Sequence, residues 1–466
     1  MLEFQELTVN EGARLRPYYE TCDYRLCEYS LGVKLMWRGH LHPWFAETAG
    51  CLIIRNCIEG EYVFDYPILG PEGDAEAALT AIEQYCGEKE LPLVLSVVPE
   101  DKAAQLVLRY PRVRVVSERS WKDYLYRTEE LAQFAGRRYS GQRNHINKFR
   151  RDYPDAEFVA LTDPADPRLA AFWRGYEAEF HKAGPLAKQE LVLAREMFDL
   201  LDTGWFCAGG MLAEGRLVAV SLAEKCGGTL VNHIEKALYS HAGAYPAIVQ
   251  AFAAHYGADC LWVNREDDAR DKGLRTSKLQ YLPAELGGKV RLEVGTELDM
   301  LRRVPTLKTE RLTLTALRPG DREAYNALCL DDERNRWWGY DYRTGLGDKP
   351  LTENYFLDMA KADFAARRAV NFAVRLKGKL IGEVVLYRPD FRGGFEQGCR
   401  IAPAYAGHGY GTEAFAAAAD WALYQLGLAR VVAKCFKENA ASHRMLASCM
   451  RPGGEDETYF YFEKVV

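Results

Sequence analysis

The chain has 466 residues, a formal net charge of −6 and 12 scattered cysteines. Its length predicts about two to four domains, and its mild acidity excludes a protein whose main task is to coat nucleic acid. The cysteines lack the paired spacing of zinc sites, so we expect no metal and reduced, mostly buried thiols. The N-terminus has no signal-peptide pattern and no segment is apolar enough to span a bilayer, so we expect a cytoplasmic protein without membrane insertion.

Up to about residue 295, strand and helix patterns follow one another in an order that occurs twice. The first round has predicted strands at 51–58, 62–69 and 91–98 and a helix at 74–86; the second has helices at 168–181 and 245–256 and strands at 206–212, 216–225, 229–238 and 260–266. A charged connector at 296–308 leads into a third region. We therefore predict an α/β (α+β) fold of three lobes, with mixed, mostly antiparallel sheets flanked by helices. The predicted domains are 1–150, 151–298 and 305–466.

The third region contains the segment "RIAPAYAGHGYGTEAF" (400–415), in which a strand gives way to a helix predicted to end at Gly427. A hairpin with its turn at 377–379 precedes it. Backbone N–H groups at a helix start have no intrahelical acceptor and can bind a pyrophosphate where glycines remove the crowding. The three glycines in this turn favour such a cradle over a plain turn.

Residues 307–466 resemble the GCN5-related N-acetyltransferase (GNAT) superfamily, in the branch of ribosomal-protein alanine acetyltransferases. The family loop [Q/R]-x-x-G-x-[G/A] is matched by "AGHGYG" at 406–411, with Ala406 in place of Gln or Arg. The segment "KENAASHRML" resembles the family element N-x-x-S-x-x-[VL]-L, although "ASCM" (447–450) replaces the usual E-K-x-G. The resemblance implies acetyl-coenzyme A as cofactor. The residues that it implies for cofactor binding are Ile401, Ala402, Gly407, His408, Gly409, Tyr410, Gly411, Thr412, Asn439 and Ser442.

The resemblance also implies that the strand before the loop (396–402) diverges from the next one (430–436) and exposes N–H groups to the cofactor. Glu396 would then accept the proton of the amine; the alternative is an exposed strand carboxylate. Ser442 would protonate the leaving thiolate; the alternative is that it only contacts the cofactor or caps a helix. The tyrosine that many acetyltransferases use as acid falls at Leu446, so that route is closed.

The segment "NRWWGYDYR" (335–343) lies where the family binds its acceptor. Trp337, Trp338 and Tyr340 would line a pocket for a small-molecule or peptide amine; the alternative is plain hydrophobic core. Glu383 would anchor a cationic acceptor, and the alternative is an internal ion pair.

Residues 136–151 hold six basic side chains and no acid. With "VNHIEKAL" (231–238) and "WVNREDDARDKGLRTSKLQYLP" (262–283), they resemble the phosphatidylglycerol lysyltransferase C-terminal-domain family, a widespread bacterial domain similar to two fused acetyltransferase-like lobes. The lysyltransferase itself moves lysine from aminoacyl-tRNA to a lipid. The resemblance implies a cleft formed by Arg143, Asn144, Lys148, Glu235, Lys236, Asn264, Glu266, Asp267, Arg275 and Lys278, although ion pairs between the lobes would explain these residues equally well.

Together these observations predict an acetyl-coenzyme A-dependent N-acetyltransferase fused to an aminoacyl- or acyl-transferase-like module. Two alternatives stay open. The first module can be a non-enzymatic element that recognises tRNA, a peptide or a small ligand. It can also be an aminoacyl-tRNA-dependent transferase with the third lobe as scaffold. Where tRNA is the ligand, its phosphates would contact Arg137, Arg138, Arg143, Lys148 and Arg150.

Overall fold

The computed structural model describes residues 2–180, 185–347 and 350–466. The strands are β1 (Gln5–Glu6), β2 (Trp44–Thr48), β3 (Cys51–Ile58), β4 (Glu61–Asp65), β5 (Ile68–Leu69), β6 (Leu93–Pro99), β7 (Val113–Val116), β8 (Asp123–Arg127), β9 (Glu157–Ala160), β10 (Cys207–Ala213), β11 (Arg216–Cys226), β12 (Thr229–Ala237), β13 (Trp262–Asn264), β14 (Glu285–Gly287), β15 (Lys289–Val294), β16 (Leu307–Lys308), β17 (Leu312–Thr315), β18 (Val370–Leu376), β19 (Lys379–Pro389), β20 (Gly394–Ile401), β21 (Arg430–Phe436), β22 (Arg451–Glu455) and β23 (Tyr459–Val465).

The helices are α1 (Gly12–Glu20), α2 (Leu31–Met36), α3 (Arg38–Leu41), α4 (Ala75–Glu88), α5 (Glu100–Arg109), α6 (Thr128–Gln133), α7 (Ser140–Asp152), α8 (Pro167–Ala178), α9 (Pro185–Phe198), α10 (Ala244–Tyr256), α11 (Lys272–Leu279), α12 (Arg322–Leu330), α13 (Asp332–Asn335), α14 (Tyr355–Ala365), α15 (Tyr410–Trp421) and α16 (Ala440–Cys449). The helix predicted at 168–181 ends at Ala178, and its last predicted residue, His181, lies outside the described residues.

Three sheets organise the described residues, with strand orders β1-β2-β3-β4-β6-β15-β7, β14-β8-β13-β12-β11-β10-β9 and β16-β17-β18-β19-β20-β21-β23-β22. Strand β5 pairs with β3 beside the first of them. Most pairs are antiparallel, and each sheet has a parallel pair, namely β4 with β6, β12 with β13, and β20 with β21. This arrangement confirms the predicted fold class of three mixed, mostly antiparallel sheets with flanking helices.

The sheets do not divide at the predicted boundary near residue 150. Strand β8 belongs to the second sheet, where it pairs with β13 and β14, while β15 belongs to the first. Strand patterns in a sequence mark where strands lie but not with which distant strand they pair, so this exchange is invisible to them. Contact density divides the chain into a first unit (Met1–Ile82, Val94–Ala104 and Val115–Leu292) and a second unit (Glu83–Leu93, Gln105–Arg114 and Glu293–Val466).

In the second unit, the two faces of the third sheet bury different clusters. Phe372 of β18 packs in one cluster with Phe415 and Ala418 of α15, whereas Tyr325 of α12 and Phe356 of α14 form another. Side chains alternate along a strand, so the polar residues between the buried apolar ones of β18 and β19 face α12 and α14. This second face carries the internal charges described below.

Two local predictions are confirmed in the third sheet. The β18–β19 hairpin turns at Lys377 and Gly378, whose φ angles are 48° and 85°. Helix α15 continues into a π-helical turn, Ala422–Leu426, and ends at Gly427 with a φ of 89°. Glycine accepts such left-handed angles without strain, which explains the predicted helix end.

Candidate functional site

Strands β20 and β21 run together for only a short distance and then separate. Their parallel register joins Gly394–Glu396 to Arg430–Val432. Beyond it, β20 continues to pair with β19 as far as Ile401, and β21 pairs with β23 as far as Phe436. The facing edges of 397–401 and 433–436 are thus without a strand partner among the described residues, and they open a cleft in the sheet. The divergence implied by the family resemblance is present.

The glycine loop lies at the start of α15. Gly407 and Gly409 both have a φ of 78°, and Gly409 is the N-cap of the helix. Within the part of the chain that the structure describes, the backbone N–H groups of residues 407–412 have no hydrogen-bond acceptor. Residues 406–409 are exposed to solvent. Six successive unpaired donors at the positive end of a helix dipole form an anion cradle.

Arg311 supplies a positive charge to this loop. Its Nε donates to Glu413 Oε2 over 2.6 Å and its Nη1 to the carbonyl of His408 over 2.9 Å. Its guanidinium lies 4.8 Å from the ring centroid of Tyr410. Sequence reasoning missed this residue because it lies on the β16–β17 turn, about a hundred residues before the loop. It places a cation beside the loop in which Ala406 replaces the family's Gln or Arg.

A pocket of about 260 Å³ opens between the diverging strands. Among its lining residues are four that the sequence predicted, namely Trp337, Trp338, Glu396 and Ser442. Lining residues that the sequence did not predict include Tyr387, Arg388, Cys399, Lys434, Phe436 and Tyr459. The structure therefore brings the predicted acceptor and catalytic residues into one place.

The two adjacent tryptophans contact different strands. The ring of Trp337 lies 5.1 Å from that of Phe436 on β21. Trp338 donates from Nε1 to the carbonyl of Tyr340 over 2.7 Å and lies against the backbone of Gly398, where an added Cβ would be 3.0 Å from its Cζ3. Gly398 is required because the ring approaches the strand so closely. The two rings therefore lie along different strands of the cleft, and Trp338 also packs against the buried cluster of Ala369, Val385 and Tyr387.

Glu396 lies where the two strands begin to separate. Its Oε1 accepts a hydrogen bond of 2.7 Å from Tyr387 Oη, and its Oε2 lies 3.4 Å from Arg388 Nη1 and 3.9 Å from Lys434 Nζ. Burial, together with the charge of Glu396, raises the pKa of Tyr387 well above its usual value, so the phenol stays protonated and donates. The side chain of Glu396 is 14% exposed, so the carboxylate is held in place yet reachable from the pocket.

Asn439 and Ser442 share the start of α16 but not a role. Asn439 Oδ1 accepts from the backbone N–H of Ser442 over 3.1 Å and caps the helix. Ser442 and Leu446 both line the pocket. Tyr387 and Tyr459 reach the same pocket from other strands.

Besides the glycine loop and Asn439, four predicted residues of the second unit lie apart from the pocket lining. Glu383 is 1% exposed and accepts from Tyr325 Oη (2.6 Å), Asn371 Nδ2 (2.7 Å) and Arg400 Nε (3.0 Å). It is an internal ion-pair partner, because three donors already occupy it. Tyr340 donates to Asp363 Oδ2 over 2.6 Å. The N–H of Ala402 is bonded to the carbonyl of Ile381 over 2.8 Å, so Ala402 offers no free N–H. Ile401 and Gly382 form the adjacent non-hydrogen-bonded pair, so the N–H of Ile401 faces the open edge of β20.

In the first unit, part of the predicted cleft forms a buried charged cluster. We define this lysine cluster as Glu28, Asp123, Asn264, Asp267 and Lys289. Lys289 Nζ donates to Asp123 Oδ1 over 2.9 Å and to Glu28 Oε1, and lies 3.9 Å from Asp267. Asn264 Nδ2 donates to Asp123 Oδ2 over 2.7 Å. Lys289, which was not predicted, is the cation of this cluster and lies within 4 Å of all three of its carboxylates.

Glu266 and Lys278 adjoin the lysine cluster. His233 bridges Glu266 and Glu224 with two 2.9 Å contacts. Burial lowers the pKa of His233, but the hydrogen bonds to the two carboxylates outweigh it and raise it to about 9. Lys278 donates to the carbonyls of Arg265 (2.6 Å) and Asp267, and burial lowers its pKa.

The remaining predicted cleft residues join other networks instead of one cleft. Glu235 pairs with Arg265, Lys236 with Glu190, Arg275 with Asp268 and Lys148 with Asp152, while Arg143 donates to the carbonyls of Phe134 and Gly136. Asn144 is exposed on α7. A sequence can place charges near one another, but which partner each one takes depends on non-local packing.

Cys27, Glu28 and Asp123 lie close enough together to suggest a metal site. However, the ammonium of Lys289 already contacts both carboxylates and lies 3.8 Å from the thiol. Burial raises the pKa of Cys27 well above its usual value, which opposes the thiolate that a metal would require. The group therefore suits Lys289 rather than a metal ion. Among the described residues, no helix is long and apolar enough to cross a bilayer.

Comparison with known proteins identifies both parts of the chain. A family model described as phosphatidylglycerol lysyltransferase, C-terminal, matches residues 19–289, and one described as acetyltransferase (GNAT) domain matches 311–449. The curated "Uncharacterized N-acetyltransferase YoaA" of Bacillus subtilis (strain 168) is 26% identical over 147 residues, covering 30% of this chain and 80% of the relative.

Solved structures resemble parts of the chain as well. A conserved protein of unknown function from Bacteroides thetaiotaomicron VPI-5482 is 25% identical, with a TM-score of 0.55, covering 63% of this chain and 99% of its own. A GNAT-family acetyltransferase from Bacillus anthracis is 22% identical, with a TM-score of 0.30, covering 34% of this chain and 98% of its own. Since the first family model spans more than half of the residues, the chain belongs to the phosphatidylglycerol lysyltransferase C-terminal family, and with its GNAT domain at 311–449 it is an N-acetyltransferase.

Proposed function

We propose that the second unit transfers the acetyl group of acetyl-coenzyme A to a primary amine in the pocket between β20 and β21. The observation that carries this proposal is the row of six unpaired N–H donors at 407–412, which ends beside that pocket. Gly411 connects the two features, since the place of its missing Cβ lies 3.8 Å from Cys399 Sγ and 3.5 Å from Met445 Sδ, both of which line the pocket. A diphosphate at the loop would therefore direct its pantetheine arm along the open edge of β20.

The residues of the loop and cleft would share the binding. The N–H groups of 407–412 and the guanidinium of Arg311 would hold the diphosphate. The bound coenzyme supplies the thioester carbon that the amine attacks. The unpaired edge of residues 397–401 offers N–H groups that would fix the arm and stabilise the oxyanion.

Glu396 would accept the proton that the amine loses as the new C–N bond forms. Tyr387 and the two nearby cations hold the carboxylate in position, which is what a positioned base requires. The C–S bond then breaks, and the departing thiolate takes up a proton. Ser442 lines the pocket and would donate that proton or contact the thiol.

The pocket lining also bears on the acceptor. Its walls are aromatic, and around Glu396 it carries the cations Arg336, Arg388 and Lys434. Three cations and one carboxylate disfavour a polyamine and favour an amine that also bears an anionic group, such as an amino acid or a short acidic peptide. A pocket of about 260 Å³ admits the end of such a molecule.

Calorimetry with acetyl-coenzyme A on the full chain tests the proposal, followed by an acetylation screen across amino acids, peptides and polyamines. The discriminating variant is Gly407→Val, with Gly378→Val as its matched control. Both glycines have a positive φ (78° and 85°) and no atom within 4 Å of an added Cβ, so the backbone strain is alike. Only Gly407 adjoins the unpaired donors. We expect Gly407→Val to weaken binding by at least 100-fold and Gly378→Val to leave it unchanged; equal affinities would overturn the cradle.

For the first unit, the tRNA hypothesis has less support than the sequence suggested. Arg138 pairs with Glu130, Lys148 with Asp152, and Arg143 binds two backbone carbonyls, which leaves few free cations for phosphates. A filter-binding assay with tRNA over a range of salt concentrations tests it directly. A salt-dependent affinity that Arg137→Glu abolishes would support an aminoacyl-tRNA-dependent module; an unchanged affinity would reject it.

A further inference from the structure

A second pocket of the second unit shares no lining residue with the acetyl-transfer pocket. It has a volume of about 420 Å³. The segments 302–304, 316–319 and 354–364 form its walls, with Asn371 of β18 beside them. We call it the cationic groove. Residues 302–304 belong to the charged connector at 296–308. This connector has no role in the proposed reaction.

The floor of the cationic groove is apolar. Val304, Leu317, Leu357 and Phe364 line it and are only half-buried, so their carbon surfaces face the groove. Each packs on one side against a buried cluster of the unit. Such surface is unfavourable in water, at roughly 25 cal/mol per Å² of exposed apolar area. An apolar body that covers the floor would therefore bind favourably.

The rim of the groove is strongly basic. Arg302, Arg303, Arg318 and Lys361 line it, against the single carboxylate of Asp358. All four cations are exposed, and none of them has an acidic group within ion-pair distance in the described part of the chain. This excess of positive charge stands out in a chain whose net charge is −6.

Other arginines of the same unit do have carboxylate partners. Arg375 binds Asp321 with 2.8 and 2.6 Å contacts, and Arg368 pairs with Asp363 over 2.9 Å. Asp321 lies next to the groove, where its Oδ2 also accepts the backbone N–H of Arg318 over 2.7 Å. Its carboxylate is thus used by Arg375. Arg318 also interacts electrostatically with Asp321, so Arg302, Arg303 and Lys361 are the cations of the groove that are left to attract an anion from outside.

We propose that the cationic groove is a binding site for a small amphipathic anion, in which a carboxylate head is attached to an apolar body. The arginines of the rim would bind the head bidentately, as planar guanidinium groups do with carboxylates. The apolar body would cover Val304, Leu357 and Phe364. The volume lies within the ~300–1,000 Å³ typical of small-molecule sites. Nothing in this proposal depends on the acetyl-transfer reaction.

The first test compares three probes of one chain length, namely decanoate, decanol and decylammonium, by calorimetry on the full chain below their micelle concentrations. We expect decanoate to bind at least tenfold more tightly than either of the others, since only it combines the required charge with the apolar body. Equal affinities for all three probes would overturn the proposal. No binding of decanoate would also overturn it, and would indicate that the basic rim binds an acidic protein segment instead.

The second test locates the site. The double variant Arg303→Glu/Lys361→Glu should weaken decanoate binding by at least tenfold and leave acetyl-coenzyme A affinity unchanged. The matched control Lys308→Glu/Lys377→Glu reverses two exposed lysines of the same unit outside the groove and should have no effect. All four side chains are exposed, so folding is expected to survive, and Arg303→Gln/Lys361→Gln provides a milder version. If both double variants lost decanoate affinity equally, the loss would reflect the change in net charge alone, and the assignment of the site would be overturned.

A competition experiment separates the groove from the coenzyme cleft. Saturating coenzyme A should leave the decanoate affinity unchanged within twofold, because the two pockets share no lining residue. Displacement of decanoate by coenzyme A would place the probe in the cleft and overturn the assignment.

Discussion

The polar groups are paired with one another in the lysine cluster of the first unit, whereas in the cleft of the second unit the donors of the glycine loop are unpaired. In the cluster, Lys289 is 4% exposed and already has three carboxylates around it. In the cleft, the N–H groups of residues 407–412 have no acceptor in the described chain, and residues 406–409 are exposed to solvent. Buried polar groups that satisfy one another stabilise or orient a fold. Donors that lie unpaired at the surface are available to a ligand.

This difference explains why similar sequence signals had different outcomes. Charged motifs in both regions suggested sites. In the described part of the chain, most of the predicted cleft residues of the first unit are paired with other groups, whereas the glycine loop of the second unit leaves its donors unpaired beside a pocket. The contrast assigns a structural role to the lysine cluster and a binding role to the glycine loop. Four predictions test it, from the largest expected effect to the smallest.

Replacing Lys289 with Met should destabilise the chain most. The variant leaves Asp123 buried with its main cation gone, and breaking a buried pair in this way costs about 3–5 kcal/mol. Urea unfolding measures the change. The control Lys122→Met removes a partly exposed lysine that pairs with Glu100 and should cost at most about 1 kcal/mol. A loss below that value for Lys289→Met would show that the cluster is not structural.

The pH dependence of stability tests His233, which adjoins the lysine cluster. Its pKa is raised from 6.5 to about 9 in the fold, so its contribution is fully present below pH 6.5 and is lost as the pH rises through 9. The shift corresponds to roughly 3 kcal/mol at most. Thermal unfolding between pH 6 and 10 should show this decline for the wild type and for the exposed control His255→Gln, but not for His233→Gln. A decline of the same size in His233→Gln would assign it to other groups.

In the cleft, Glu396→Gln should lower kcat about 100-fold, or about 2.7 kcal/mol, because the amide accepts the bond from Tyr387 but no proton from the amine. The acetyl-coenzyme A KM should change little. The control is Glu323→Gln, which replaces an exposed carboxylate on α12 with a carboxamide. An unchanged kcat with a raised KM for the amine would give Glu396 a binding role instead.

The smallest effect is expected at the loop from Arg311→Met, which keeps the aliphatic stem but removes the charge. We expect acetyl-coenzyme A to bind about tenfold more weakly, or about 1.4 kcal/mol, with a smaller dependence on salt. S-acetylpantetheine lacks the diphosphate and should bind both proteins equally. If both ligands lose affinity alike, Arg311 only shapes the loop through His408 and Glu413.

Features encoded in one contiguous stretch were predictable from the sequence. The glycine loop, the helix that follows and the end of that helix at Gly427 depend on neighbouring residues, as does the hairpin at 377–379. The predicted Trp337, Trp338, Glu396 and Ser442 line one pocket, and it was the family resemblance, not a local pattern, that placed them together. The three-sheet fold followed from the same signals.

Features that depend on distant partners were not predictable. Arg311 reaches the loop from another strand turn, and Lys289 meets Asp123 from 166 positions away. Glu383 has the same character in the sequence as Glu396, since both are strand glutamates. Only the packing of Tyr325 and Arg400 against it makes Glu383 internal. The exchange of β8 and β15 between sheets has the same origin.

The short parallel pairing of β20 and β21 has a consequence for handling the protein. Where two strands part inside a sheet, each presents a bare edge that can recruit a foreign strand and seed aggregation. A bound thioester arm would cover those edges in the manner of a temporary extra strand. Preparations kept with coenzyme A should therefore remain monodisperse at concentrations where ligand-free material self-associates, and light scattering would reveal the difference.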